Sequence, residues 1–265
     1  ADQTFNNCFS FDRFIETCSI WCLAINYLEL KNFNLQHGII HIPMELPWSS
    51  PGFVNVYFIE EKDGYVMIDC GVNGSEYQEL LETKMKSFGL SYENIKLLIG
   101  THMHSDHIGL SSTLREKDIP FALYKNSVEF IEGYNDWSIR FKKLKEYAKK
   151  EGAPKSFLDD IDQIETPIYA GKISKPDVLL EEGNIKNVNR NIEIIFTPGH
   201  DRTEISILDN PSQILFSGDH ILPKITPFIP LEDAGDDMLE KYTSSLDKVY
   251  NLEQKLIAPG HGCLL

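Results

Sequence analysis

Thr101-His102-Met103-His104-Ser105-Asp106-His107-Ile108-Gly109 is the stretch whose reading decides the fold. It follows a short apolar run, Ile95 to Ile99, closed by Gly100, which reads as a buried strand ending in a loop. Three imidazoles and one carboxylate therefore gather at the C-terminal end of a strand. Alternation in extended backbone sends His102 and His104 the same way, so both can reach one metal ion. Asp106 and His107 follow the bend and are placed to face a second. Neutral imidazole and carboxylate are ordinary zinc ligands, and three protein ligands per ion leave a position open for water. The spacing is not that of a helical H-E-x-x-H pair, whose two histidines lie one turn apart. A solvated polar loop is the plainer alternative. Five of the chain's eight histidines fit one scheme with the remaining motifs, which decides against it.

Working outward, helix-like and strand-like stretches alternate along 265 residues, of which 42% are hydrophobic. That favours one α/β domain of two packed halves. The formal net charge of −15 argues against a nucleic-acid surface. The five cysteines, Cys8, Cys18, Cys22, Cys70 and Cys263, are an odd, scattered set. They fit reduced thiols in a cytosol better than a disulfide framework or a zinc knuckle. The segment from Phe14 to Leu30 is apolar in places but carries Glu16, Asn26 and Glu29, so neither a membrane span nor a secretory signal is expected. The expectation is a soluble, cytoplasmic protein with no membrane partner.

Residues 1–36 carry no clean period and are read as an N-terminal extension of uncertain structure. From residue 37 to 265 the signal is that of a single domain. Ile39 to Ile42 is expected as a first strand, ended by Pro43 and Pro47. Val54 to Glu60 and Tyr65 to Asp69 read as strands joined through Lys62-Asp63-Gly64, a hairpin signal. Ser75 with Gln78 reads as a capping box for a helix over 76–88, striped by Leu80, Leu81, Met85 and Phe88. A helix is expected near Gly109 and a short strand over Phe121 to Leu123.

Residues 126–165 read as two or three helices interrupted by Gly152-Ala153-Pro154, forming a helical lid insert. Arg140, Lys142, Lys143, Lys145, Lys149 and Lys150 make a basic cluster there. It is read first as a solvated helix face. The functional alternative is a lid attracting an anionic substrate such as a coenzyme A or glutathione conjugate. The second half returns to strands at Val178 to Leu180, Ile192 to Phe196, Ile205 to Leu208 and Ile214 to Ser217, with turns at Gly183-Asn184 and Asp209-Asn210-Pro211. Further ligand candidates stand at strand ends: His200 in Thr197-Pro198-Gly199-His200, Asp219 in Ser217-Gly218-Asp219-His220, and His261 in Ala258-Pro259-Gly260-His261-Gly262. A helix over 236–250 separates the last two.

The set H-x-H-x-D-H at 102–107, followed in order by His200, Asp219 and His261, resembles the metallo-β-lactamase superfamily of metallohydrolases. Asp69 in Met67-Ile68-Asp69-Cys70-Gly71 matches that superfamily's early Asp-x-Gly element. The resemblance runs from about His37 to the end of the sequence. It implies a four-layer αβ/βα sandwich with metals at one edge between two sheets. It also implies that His102, His104 and His200 hold one metal, that Asp106, His107 and His261 hold the other, and that Asp219 bridges them. Two divalent cations, zinc first with iron or manganese as alternatives, would then make a hydroxide near neutral pH. Asp106 would shuttle a proton to the leaving group. Asp69 is expected to hold a ligating histidine rather than touch metal, and His220 is expected to be structural.

The branch implied is a hydrolase of an ester, thioester or lactone, with a small acyl substrate. Aspartate at 219 is unlike the cysteine of common broad-spectrum β-lactamases and closer to glyoxalase II, lactonases, thioesterases and phosphodiesterases. Flavodiiron proteins carry Glu where His104 stands, which disfavours them. Acyl-homoserine lactonases often place Tyr where Ile221-Leu222 stand. A phosphodiesterase and an iron-dependent, persulfide dioxygenase-like oxidoreductase remain the alternatives. Relatives usually continue with helices past the Pro-Gly-His-Gly element, whereas this sequence stops at Leu265. The expectation is truncation or substitution by the N-terminal segment, with His261 exposed if nothing covers it.

Overall fold

The computed structural model describes residues 37–161, 169–173, 175–186, 188–230 and 237–265. The N-terminal extension and the last residues of the expected insert lie outside them. Two sheets carry the chain. The first holds β1 (Ile39–Glu45), β2 (Phe53–Glu61), β3 (Gly64–Ile68), β4 (Ile95–Ile99), β5 (Phe121–Tyr124) and β6 (Val178–Leu180), in that order. The second holds β7 (Gly183–Asn184), β8 (Ile192–Phe196), β9 (Ile205–Asp209), β10 (Ile214–Gly218) and β11 (Leu256–Pro259), in order β11-β10-β9-β8-β7. Helices α1 (Ser75–Ser87), α2 (Ser105–Ile108), α3 (Ser111–Arg115), α4 (Ile131–Asn135), α5 (Trp137–Lys150) and α6 (Lys155–Ile161) follow strands of the first sheet, and α7 (Met238–Tyr250) stands between β10 and β11. Ile40–Leu265 form one compact unit.

The layering follows from strand alternation. On β2, Phe58 packs with Met67, Leu98, Leu81 and Met85, on the α1 side of the first sheet. Its neighbour Tyr57 points the other way and meets Phe216 of the second sheet edge-on, ring centres 5.0 Å apart. Tyr124 and Phe196 stack across the same gap at 4.2 Å. Ile195, Leu208 and Leu215 pack with Val249 of α7. Each fully buried side chain of this kind contributes ~1.5–3 kcal/mol. The result is the expected αβ/βα sandwich.

Topology gathers the functional positions at one edge. β3, β4 and β5 are parallel, so Asp69 and the 101–107 loop emerge at the same end. In the second sheet β8 and β10 are both antiparallel to β9, and β10 and β11 are parallel, so residues 197–200, 219 and 260–261 also share one end. The bond from Ile205 N–H to the Thr101 carbonyl, 2.9 Å, joins the two ends across the sandwich.

Several local expectations change. β1 runs through Pro43 to Glu45 because it is an edge strand, where a missing N–H costs no ladder bond. Ser75 does not cap α1: the N-cap is Gly74, with no side-chain bond, and Ser75 is the first helical residue. The helix near Gly109 is two short helices, α2 and α3. Gly183-Asn184 pairs with β8 as a two-residue strand rather than a free turn. His261 is only 3% exposed: reciprocal backbone bonds between Ile257 and Leu265 fold the final residues back onto β11. Among the described residues no helix is long and apolar enough to cross a membrane.

Candidate metal centre

Four of the five histidines, His102, His107, His200 and His261, are aimed by a bond at the far ring nitrogen. Asp69 is buried, and its carboxylate accepts from the Thr101 amide (2.8 Å), the Thr101 hydroxyl (2.9 Å) and His107 Nδ1 (2.7 Å). Having donated to Asp69, the Thr101 hydroxyl accepts from His102 Nδ1 at 3.0 Å. One carboxylate thus orients histidines of both expected sites. His200 Nδ1 donates to the Phe228 carbonyl at 2.7 Å, and His261 Nδ1 donates to the Phe53 carbonyl at 2.6 Å. These bonds fix the tautomers and leave the Nε2 lone pairs facing inward.

The inward atoms converge. His104 Nδ1 lies 3.0 Å from His102 Nε2 and 2.9 Å from His200 Nε2. A neutral imidazole cannot donate to both neighbours through one nitrogen, whereas nitrogens ~2.0–2.1 Å from a tetrahedral zinc stand roughly 3.3 Å apart. His261 Nε2 lies 3.3 Å from Asp106 Oδ2, and His107 Nε2 is 4.0 Å from the same oxygen. Asp219 sits between the groups, with Oδ2 3.6 Å from His200 Nε2 and 3.4 Å from His261 Nε2, and Oδ1 3.4 Å from His107 Nε2. His107 Nε2 and Asp219 Oδ1 are buried without hydrogen-bond partners. Such orphaned atoms facing one another are what a coordinated cation would satisfy. Three donor groups have ligand atoms within 4.8 Å of one another: His102 with His104 and His200, His102 with His107 and Asp219, and Asp106 with His107 and His261. All seven sequence-derived candidates are brought together, and the donor set fits divalent metal. His220 packs on Tyr242 at 5.1 Å and belongs to none of the three groups.

The electrostatics divide the cluster. Burial, followed by the neighbouring histidines, holds His102 well below its ordinary range, and burial with His104 lowers His200 to about 4. Burial also opposes charge on His107 and His261, yet carboxylates win there. Asp69, Asp219 and Asp106 raise His107 well above the ordinary value, and bonds to Asp106 and Asp219 lift His261 to about 9. Against burial, His107 and His261 hold Asp106 near 2. His102 and His200 are therefore preset as neutral nitrogen, while His107 and His261 hold protons that a cation displaces.

Some supporting residues lie beyond the motifs. Asn55 is buried on β2; its amide nitrogen donates to the Pro259 and Gly262 carbonyls, both at 2.9 Å, and its backbone N–H to the Gly260 carbonyl at 2.7 Å. Tyr57 donates to the Pro259 carbonyl as well, at 2.8 Å. His41 stacks on Tyr57 and bonds the side-chain oxygen Oδ1 of Asn55 at 2.7 Å through Nε2. This clamp fixes the loop that carries His261. Its one sequence signal is Asn55 itself, a polar residue inside the apolar run Val54 to Ile59. From the other side, α7 steadies the His200 and Asp219 loops: Ser245 donates to the Pro198 carbonyl (2.8 Å) and Tyr242 to the His220 carbonyl (3.0 Å).

The clamp carries a pH dependence. Burial, only partly offset by the bond to Asn55, lowers His41 from 6.5 to about 4. Above the unfolded value neither state is charged and the contribution to stability is full. As pH falls from 6.5 toward 4 the unfolded chain takes up a proton that the folded chain refuses, and about 3 kcal/mol is lost. Urea unfolding of metal-free protein at pH 7 and pH 4 should show a smaller loss for His41→Gln than for the parent chain. Equal losses would contradict this reading of the imidazole.

The fold and the ordered donor set define a metallohydrolase-type protein, and comparison with known families agrees. Residues 49–261 match the family described as "Metallo-beta-lactamase superfamily", and the chain belongs to it. It is 25% identical over 228 residues to "Probable metallo-hydrolase YflN" of Bacillus subtilis, spanning 78% of this chain and 80% of that protein. It is 22% identical over 247 residues to "Acyl-coenzyme A thioesterase MBLAC2" of Homo sapiens, spanning 86% and 79%. The crystal structure of the metallo-beta-lactamase family protein TTHA1429 from Thermus thermophilus aligns with TM-score 0.72 at 20% identity, covering 86% of this chain and 74% of that one.

Proposed function

We propose that this chain is a dinuclear, zinc-dependent hydrolase of a small ester, thioester or lactone. The observation that carries the reading is the place of Asp219, whose Oδ2 stands within 3.6 Å of His200 Nε2 and 3.4 Å of His261 Nε2. One carboxylate between two histidine groups suits a pair of ions. His102, His104 and His200 would hold one cation, Asp106, His107 and His261 the other, and Asp219 both. Bound at these residues, the cations would supply Lewis acidity for a scissile carbonyl and for a water molecule.

The chain's own residues do the rest. Asp69, the Phe228 carbonyl and the Phe53 carbonyl keep the imidazoles in the tautomer that presents Nε2 inward. Asp106 has the most accessible side chain of the cluster's three carboxylates, 16% exposed against 9% for Asp219 and 2% for Asp69. It is the group placed to take a proton from the attacking water and return it to the leaving group. Similarity to an acyl-coenzyme A thioesterase supports the acyl class. The net charge of −15 makes nucleic acid a poor substrate. On α5 the side chains of Arg140, Lys142, Lys143, Lys149 and Lys150 are exposed, and Arg140 lies over the Trp137 ring at 4.5 Å. They are read as a solvated face.

The test is a substrate panel run on zinc-loaded protein, with elemental analysis of the same sample. The expected result is turnover of at least one thioester, ester or lactone, abolished by a chelator and restored by zinc. Turnover of bis-p-nitrophenyl phosphate alone would replace the reading with phosphodiester hydrolysis. Stoichiometric iron with oxygen uptake would replace it with an oxidoreductase.

A further inference from the structure

Glu204 has no part in the reaction above, yet it is fully buried directly behind the cluster. It follows His200 by four residues and immediately precedes β9. Its backbone is held twice: its carbonyl accepts from the Thr197 amide at 3.0 Å, and the next amide, of Ile205, donates to Thr101 across the sandwich. The side chain is therefore delivered to a fixed place. There Oε1 accepts the Asp219 backbone N–H at 2.9 Å, while Oε2 has no hydrogen-bond partner.

That N–H belongs to the peptide unit joining Gly218 to Asp219. The carbonyl of the same unit, on Gly218, accepts from the Gly260 amide at 2.7 Å. Both polar ends of one peptide are thus pinned, one by Glu204 and the other by the loop that carries His261. Gly218 has φ 53°, a left-handed value that glycine adopts without strain, and a Cβ there would lie 3.0 Å from Thr101 Cβ and 3.3 Å from Glu204 Oε1. Once the peptide plane is fixed, so is the direction of the Asp219 Cα–Cβ bond. Burying a carboxyl group with one oxygen unsatisfied is unfavourable, because that oxygen loses its water and gains no partner. A helix cap or solvent could serve an ordinary amide at less expense. The arrangement has a use if the position of Asp219 must be held within a fraction of an ångström.

We infer that Glu204 is a positioning residue, which with Gly260 clamps the Gly218–Asp219 peptide and so sets how well the Asp219 carboxylate serves both cations at once. The inference rests on the dinuclear reading above. It assigns Glu204 no contact with metal or substrate.

The test uses the full chain, stripped with a chelator and titrated with cobalt(II) alone. Binding is followed by the visible absorption of the ion and by competition with a chromophoric chelator. Glu204→Gln keeps a carbonyl oxygen as acceptor; Glu204→Met keeps the volume and loses it. The parent chain is expected to take up two equivalents, and Glu204→Gln to match it within about threefold. Glu204→Met is expected to bind the weaker equivalent about 10–100-fold less tightly, with a changed cobalt spectrum. Parent-like affinities and spectrum in Glu204→Met overturn the inference, and so does a Glu204→Gln as impaired as Glu204→Met. If Glu204→Met does not fold, the Asp219 amide proton decides in the parent chain and in Glu204→Gln: slow exchange in both supports the clamp, and solvent-like exchange in either overturns it. A parent chain that takes up fewer than two equivalents instead counts against the dinuclear reading itself.

Discussion

Gly260→Ala should leave a folded chain that has lost at least ~100-fold in kcat/KM and no longer retains two cations after dialysis. The reason is steric. A methyl group at this position would collide with Asp219 Oδ1, stand 2.8 Å from His107 Cε1 and 3.1 Å from the Gly218 carbonyl carbon. None of these neighbours has room to retreat. His107 is bonded to Asp69 at 2.7 Å, and Asp219 is held through its own amide. The Gly260 backbone is fixed from two directions, its N–H on the Gly218 carbonyl and its carbonyl on the Asn55 amide. Overpacking of this kind costs about 1–3 kcal/mol, which a chain of this size survives. The damage falls instead on ligand placement, where an error near 1 Å is enough to lose two orders of magnitude. Metal analysis beside an activity assay settles the matter. A variant with two tightly held cations and undiminished turnover would show that the loop has slack absent from this geometry.

Asp106→Asn is expected to lower kcat by ~10²–10⁴ with thermal unfolding little changed. Asparagine keeps the volume and an oxygen for the His261 contact at 3.3 Å but removes the charge and the ability to take up a proton. If Asp106 only held metal, added zinc would recover most of the activity. If it also carries the proton, saturating zinc leaves kcat depressed. In the metal-free chain the neighbouring imidazoles, working against burial, hold its carboxyl near 2, so the charge that asparagine removes is present throughout the neutral range. His104→Ala should be as damaging by a different route, since it removes the nitrogen shared by His102 and His200 at 3.0 and 2.9 Å. Full activity in both variants would refute hydrolysis at this centre.

The reading from sequence succeeded where neighbours in the chain are neighbours in the site. His102 to His107 lie on one short loop and the helix α2 that it enters, and the strand before them is marked by its apolar run. His200, Asp219 and His261 were legible because each stands at the end of a strand beside a glycine, a pattern repeated in order. The supporting contacts left no such trace. Asn55 meets residues more than 200 positions away, and Glu204 reaches the amide of Asp219, just past the end of β10. Pairings of that kind have no spacing to detect. Local chemistry also misled: Ser75 with Gln78 has the composition of a capping box, but the preceding Gly74, at φ 146°, takes the N-cap instead. Pro43 reads as a strand end until the strand is known to lie at a sheet margin, a fact of topology and not of residue type.

Phe228 holds His200 through its main-chain oxygen, while the residue as a whole is 70% exposed. Any amino acid can supply a carbonyl. Selection can therefore rewrite the ring, trading aromatic for small or charged groups, without disturbing the imidazole that its backbone holds. Retention of metal at His200 is thus decoupled from the identity of the side chain whose backbone aims the ring.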